Sequence, residues 1–164
     1  MKFLRVIAVL AVGLTALSGA VASAQGASTP ATIKILPGSW NCTTHGSTGT
    51  STGTVTFTQI NPDLVQYHYA NTSGKNAGKK GGGEWFYDAK KGEYVSLGAG
   101  SFGWGVSQGM ASANALTLTL KDTYPSDPTN GTTTYHFTQS QIGFTSDWKK
   151  DGKPMHIQQT CTRA

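Results

Sequence analysis

The residues of this chain that could move protons or hold a metal are four histidines and eight carboxylates, and their placement argues against both uses. Glu84 and Asp88 come nearest to the carboxylate pair of glycoside chemistry, but four apart on one strand they share a solvated face and read as ladder residues. His68, His136 and His156 fall on the polar side of alternating segments, His156 between Met155 and Ile157, and His45 sits in a turn. No Gly-x-Ser-x-Gly elbow is present. Gly81-Gly82-Gly83 and Gly98-Ala99-Gly100 lack the strand-to-helix setting of a phosphate loop and read as bends. The expectation is a protein that is not an enzyme, with no catalytic residue, no metal and no cofactor.

The aromatic residues are the surplus. Tyr67, Tyr69, Trp85, Tyr87, Trp104, Tyr135 and Trp148 fall on the apolar side of their segments. Tyrosine and tryptophan carry polar tips that need partners when buried, and an apolar recess with a few polar groups is the general form of a small-molecule site. These seven are the candidate ligand-binding residues, for a small apolar or aromatic molecule. The competing reading is that they fill a core. The protein would then be a structural or interaction domain working through its longer connections, 71–82 and 123–131.

The elements that position them are strands. Helical periodicity is absent throughout the chain after residue 24. Short alternating segments rich in Thr, Val, Tyr, Phe and Trp, broken by Gly, Asn, Asp and Pro, have the composition of strands. Ten are expected, at 39–44, 52–60, 64–70, 83–88, 93–99, 103–112, 115–122, 132–139, 142–149 and 154–162. Asn61-Pro62-Asp63, Lys91-Gly92 and Asp151-Gly152 supply compact turns, the last suited to a type I′ hairpin. Alternation puts Trp40, Cys42, Val55, Phe57, Val65 and Trp85 on one face. The same face is expected to take Val95, Leu97, Phe102, Trp104, Val106 and Leu116, then Leu118, Leu120, Tyr135, Phe137, Ile142, Phe144, Trp148, Met155 and Ile157. Threonines crowd the other face. One apolar and one polar face marks an antiparallel sheet with a single wet side.

Cys42 and Cys161 decide between an open and a closed sheet. They lie in the first and last strands, both on the apolar face, and a bond between them needs Cα atoms within about 7 Å. In a meander of ten strands that proximity follows if the sheet closes on itself. The expected fold is therefore an all-β, closed antiparallel up-and-down barrel, with a β-sandwich whose terminal strands adjoin as the alternative.

Residues 1–24 read as a signal peptide: Lys2 and Arg5, an apolar run from Val6 to Leu17, then Ala22-Ser23-Ala24 before a cut. Export to the periplasm or beyond, and a disulfide, follow from that reading. Residues 25–36 read as a flexible leader and 37–164 as the barrel domain. The mature charge would be modest. Arg163 is its one arginine, and the lysines scatter through turns, which argues against nucleic acid as a partner. No later segment is apolar enough for stable membrane insertion as a helix. A small molecule is the expected partner, and the oligomeric state is left open.

Gly38-Ser39-Trp40 at the start of the first strand resembles the Gly-x-Trp signature of lipocalins and the wider calycin group. That resemblance implies a closed meander barrel holding a small, mostly apolar ligand, with the Trp at the closed end beneath a basic side chain, for which Arg163 is the candidate. The segment from Asp151 to His156, running on to Arg163, is also similar to stretches of nitrobindin-like ten-stranded barrels. Those bind haem through a histidine, which singles out His156. The alternation turns His156 outward, so none of His45, His68, His136 and His156 is expected to ligate haem.

Overall fold

A computed structural model describes residues 34–47, 49–111, 115–124 and 129–164. Ten strands run in chain order: β1 (Gly38–Gly46), β2 (Gly49–Asn61), β3 (Leu64–Asn71), β4 (Lys80–Asp88) and β5 (Glu93–Gly100), then β6 (Gly103–Ala111), β7 (Ala115–Tyr124), β8 (Thr129–Phe137), β9 (Gln141–Lys150) and β10 (Lys153–Arg163). Each pairs antiparallel with its neighbours in sequence, and β1 pairs with β10, so the sheet is a closed barrel. Closure leaves no unpaired strand edge. All ten expected strands are present, and the sandwich alternative is excluded.

The closing seam carries the disulfide. Cys42 faces Cys161 across β1 and β10 with Cα atoms 4.0 Å apart, and the bond links positions 119 residues apart. The β9–β10 hairpin turns through Asp151 (φ 50°) and Gly152 (φ 72°), two left-handed residues in succession as a type I′ turn requires.

One end of the barrel is closed by its own side chains. Trp40, Phe57, Val65, Trp85, Tyr94, Leu116, Leu118, Phe137 and Ile142 are buried there. Leu36, expected to lie in a flexible leader, is instead fully buried in this core, and its carbonyl accepts a hydrogen bond from Trp40 Nε1 at 2.8 Å. The domain therefore begins before residue 37, because the indole N–H needs a partner where water cannot reach. Residues 25–33 of the expected leader and the expected signal peptide lie outside the described residues.

Arg163 clamps the same end. Its guanidinium lies 4.5 Å from the centroid of the Trp40 ring and donates to the carbonyls of Ile35, Pro37 and Gln139 at 2.7, 3.0 and 3.1 Å. Gly38 explains the first letter of the Gly-x-Trp pattern. Its φ is 123°, and a Cβ there would stand 2.9 Å from the Arg163 side chain.

Candidate functional site

The register across the barrel decides which side chains point inward. Val65 pairs with Trp85, Trp85 with Ser96 and Ser96 with Ser107, so Tyr94, Ser96, Gly98 and Gly100 face inward on β5, and Gly105, Ser107 and Gly109 on β6. This reverses the expected parity of these two strands. Val95, Leu97, Trp104 and Val106 point outward; Leu97 is 48% and Trp104 41% exposed. Trp104 is thus not placed to touch an interior ligand.

The reason lies in volume. Toward the partly buried end the inward residues of β4 and β5 (Gly81, Gly83, Gly98 and Gly100) are glycines, because two tyrosines of β3 lie across them. A Cβ on Gly98 would stand 2.5 Å from the Tyr67 hydroxyl, and one on Gly100 2.7 Å from that of Tyr69. Gly83 and Gly81 are hemmed in by the same two phenols. The apolar residues of β5 and β6 are left for the outer wall, where they join Phe86 and Met110 as exposed side chains. A shallow depression of about 270 Å³ lies on this outer wall, among Gln66, Gly82, Glu84, Leu97 and Ala99.

Of the other candidates, Tyr87 lies at the closed end, where its ring centroid is 5.1 Å from that of Tyr94. Trp85 forms the floor. It is buried and meets Phe57, Tyr67, Tyr135 and Phe137, with Tyr135 nearest at 4.7 Å between centroids. Above this floor the inward residues change character. Tyr67, Tyr69, Tyr135, Phe144, Trp148, Met155 and Ile157 are only partly buried, although they point into the barrel. Phe144 packs 5.3 Å from Tyr135, and Phe102, on the β5–β6 turn, stacks on Tyr69 at 6.5 Å. Phe144 was expected on the inward face but not at the site. Its direct pairing with Tyr135 across β8 and β9 is the signal that would have found it.

Polar side chains are interleaved with these rings in pairs. Gln159 Nε2 donates to Thr44 Oγ1 at 2.7 Å, Thr133 and Ser146 share a hydrogen bond of 2.8 Å, and the Tyr67 hydroxyl bonds to Ser96. Between Arg163 at the closed end and the rim at the other, no described inward position carries a formal charge.

Burial holds the phenols neutral. Desolvation pushes the Tyr67 hydroxyl up to about 12, with Tyr69 adding to the rise and the Ser96 hydrogen bond opposing it. Burial raises Tyr69 as well, and it raises Tyr135 further, with Tyr67 contributing. Tyr135 keeps some exposed area, and desolvation of its hydroxyl within the barrel is the main cause of the rise. The unfolded chain ionises its tyrosines near pH 10, before the folded barrel does. The stability these groups supply is therefore complete below about pH 10 and is lost as pH rises toward 12. Absorbance titration at the phenolate band should show a late-ionising class, and Tyr67→Phe should flatten the alkaline fall in melting temperature. Six tyrosines titrating together near 10 would contradict this burial.

His68, His136 and His156 occupy outward positions, as the alternation implied, and His45, expected in a turn, takes an outward position on β1; all four are exposed. His156 Nδ1 lies 2.7 Å from Asp147 on the outer wall. Among the described residues, no three His, Cys, Asp or Glu side chains gather as a metal-holding group.

The chain matches no protein-family model and no curated relative. Solved structures do resemble it. Rv2717c from M. tuberculosis is similar with a TM-score of 0.62 and 14% identity, over 80% of this chain and 94% of that one. The fold is shared. The S-type phycobiliprotein lyase CPES from Guillardia theta is similar with a TM-score of 0.54 and 14% identity, over 80% of this chain and 90% of that one. A redesigned β-barrel also aligns, with a TM-score of 0.49 and 16% identity over 84% of this chain. At these identities the likeness is one of barrel architecture.

Proposed function

We propose that this protein is an exported, calycin-like barrel that binds a small apolar or aromatic molecule through the end opposite Trp40. One observation carries the reading: the large inward side chains are sealed at one end and only partly buried at the other. A filled barrel would bury Tyr67, Tyr69, Tyr135, Phe144 and Trp148 as completely as it buries Trp85. These side chains form the proposed site, with the Trp85 indole as its floor and the Thr44–Gln159 and Thr133–Ser146 pairs on its walls. The barrel of a phycobiliprotein lyase gives the reading some support as a protein of the same fold. Export is supported by the composition of residues 1–24 and by the Cys42–Cys161 bond, which belongs to an oxidising compartment.

Native mass spectrometry of protein recovered from its own cells tests both parts. The expected result is a mature chain beginning at Gln25 that carries a retained small molecule, and Tyr135→Ala should lose that molecule while remaining folded. An intact N-terminus would refute export. A ligand-free protein whose tryptophan emission is unmoved by a broad panel of apolar and aromatic compounds would refute the binding reading.

A further inference from the structure

The rim of the partly buried end differs chemically from the interior beneath it. Strands β9 and β10 face each other with Trp148 opposite Met155, and the next inward register pair is Lys150 opposite Lys153. These lysines therefore continue the inward row one step above the Trp148 ring, and both are exposed. Lys149 lies beside them on the outward row. On the other side of the short β1–β2 hairpin, the β3–β4 connection brings Lys75, Lys79 and Lys80 to the same end. Among the described residues of these two connections Asp151 is the one acid. The closed end is mixed, with Lys90, Lys91 and Arg163 set among Asp63, Asp88 and Glu93.

Among the described residues, an uncharged shaft beneath the Lys150–Lys153 pair selects ligands in two parts. A charge carried down among Tyr67, Tyr135 and Phe144 would be desolvated without a counter-ion. A negative group left at the rim would instead meet Lys150 and Lys153 while staying hydrated. Resting on the binding reading above, we infer that the ligand class is an anionic amphiphile: an uncharged apolar or aromatic body lies within the barrel, and a carboxylate, sulfonate or phosphate stays at the Lys150–Lys153 rim. The lysines of the β3–β4 connection extend the same positive field and would speed capture of such a molecule.

A matched probe pair tests this, namely dansylaminoundecanoic acid and its methyl ester, which share a body and differ in charge. Both should raise dansyl emission on binding the full mature protein. At low ionic strength the acid should bind roughly tenfold or more tightly than the ester, and raising salt to about 0.5 M should erase most of that difference. Lys150→Glu with Lys153→Glu should weaken the acid and spare the ester. Lys90→Glu with Lys91→Glu, an equal change of net charge at the closed end, should leave both unchanged. Equal affinity of acid and ester, or equal effects of the two charge reversals, would overturn the inference while leaving a binding barrel in place. Failure of both probes to bind would overturn it together with the reading on which it rests.

Discussion

Reducing the Cys42–Cys161 bond should lower the melting temperature of the barrel by about 6–25 °C while leaving its secondary structure in place. The bond joins positions 119 residues apart, and the chain-entropy model assigns about 4.7 kcal/mol to a loop of about that length. Measured losses for native bridges run from about 2 to 5 kcal/mol. For a domain between the sizes usually tabulated, each kcal/mol corresponds to about 3–5 °C. The fold should survive because the bond reinforces a seam that is already paired: Trp40 through Gly46 on β1 face Arg163 through Ile157 on β10 in unbroken register. Circular dichroism melts with and without a phosphine reductant, beside a Cys42→Ser, Cys161→Ser variant, give the measurement. Coincident melts would mean that strand pairing alone holds the seam. Loss of β-signal at room temperature would mean that the register across β1 and β10 depends on the bond.

The strand count, the meander and the closed topology were all legible in the sequence, because each rests on local chemistry. Turn dipeptides such as Asp151-Gly152 punctuate the chain, alternation marks each strand, and two cysteines in the terminal strands require the ends to meet. What could not be read was the parity of β5 and β6. Alternation assumes that the more apolar side of a strand faces in, and there it fails, because interior volume is shared among strands. Tyr67 and Tyr69 reach across from β3 and occupy the space that β4 and β5 would otherwise fill toward that end, so the inward positions facing them hold glycine and serine. Valine and leucine then fall outside by default. Tyr94 alone signalled the true parity, since it is buried and lies two residues from Ser96. The burial of Leu36 was invisible for a similar reason: its partner is the indole N–H of Trp40, and no local pattern announces that contact. The seven aromatic candidates therefore divide by position. Tyr67, Tyr69, Tyr135 and Trp148 line the partly buried end, Trp85 floors it, Tyr87 belongs to the closed core and Trp104 to the outer wall.

That division makes the two tryptophans of β4 and β6 a sensitive check on the register. Trp85 is 4% exposed and contacts four aromatic rings, so Trp85→Ala should cost about 3–5 kcal/mol, the usual range for removing a buried large aromatic. The cavity would open beneath Tyr135, and ligand binding should fall along with stability. Trp104, 41% exposed and paired with Ala99 on the outward row, should cost much less on replacement by Ala, on the order of 1 kcal/mol, with interior binding unchanged. Tryptophan emission should separate the two without any ligand. Trp85→Phe should remove a blue-shifted component and Trp104→Phe a red-shifted, readily quenched one, with acrylamide quenching as the measurement. Denaturant melts of the two alanine variants supply the energies. If Trp104→Ala proved the more destabilising, or Trp85 the more quenchable, then β5 and β6 would be inverted in solution, with Leu97 and Val106 inside. The glycine track beneath Tyr67 and Tyr69 could not then exist, because Gly98 and Gly100 would face outward and the phenols would meet side chains they have no room for.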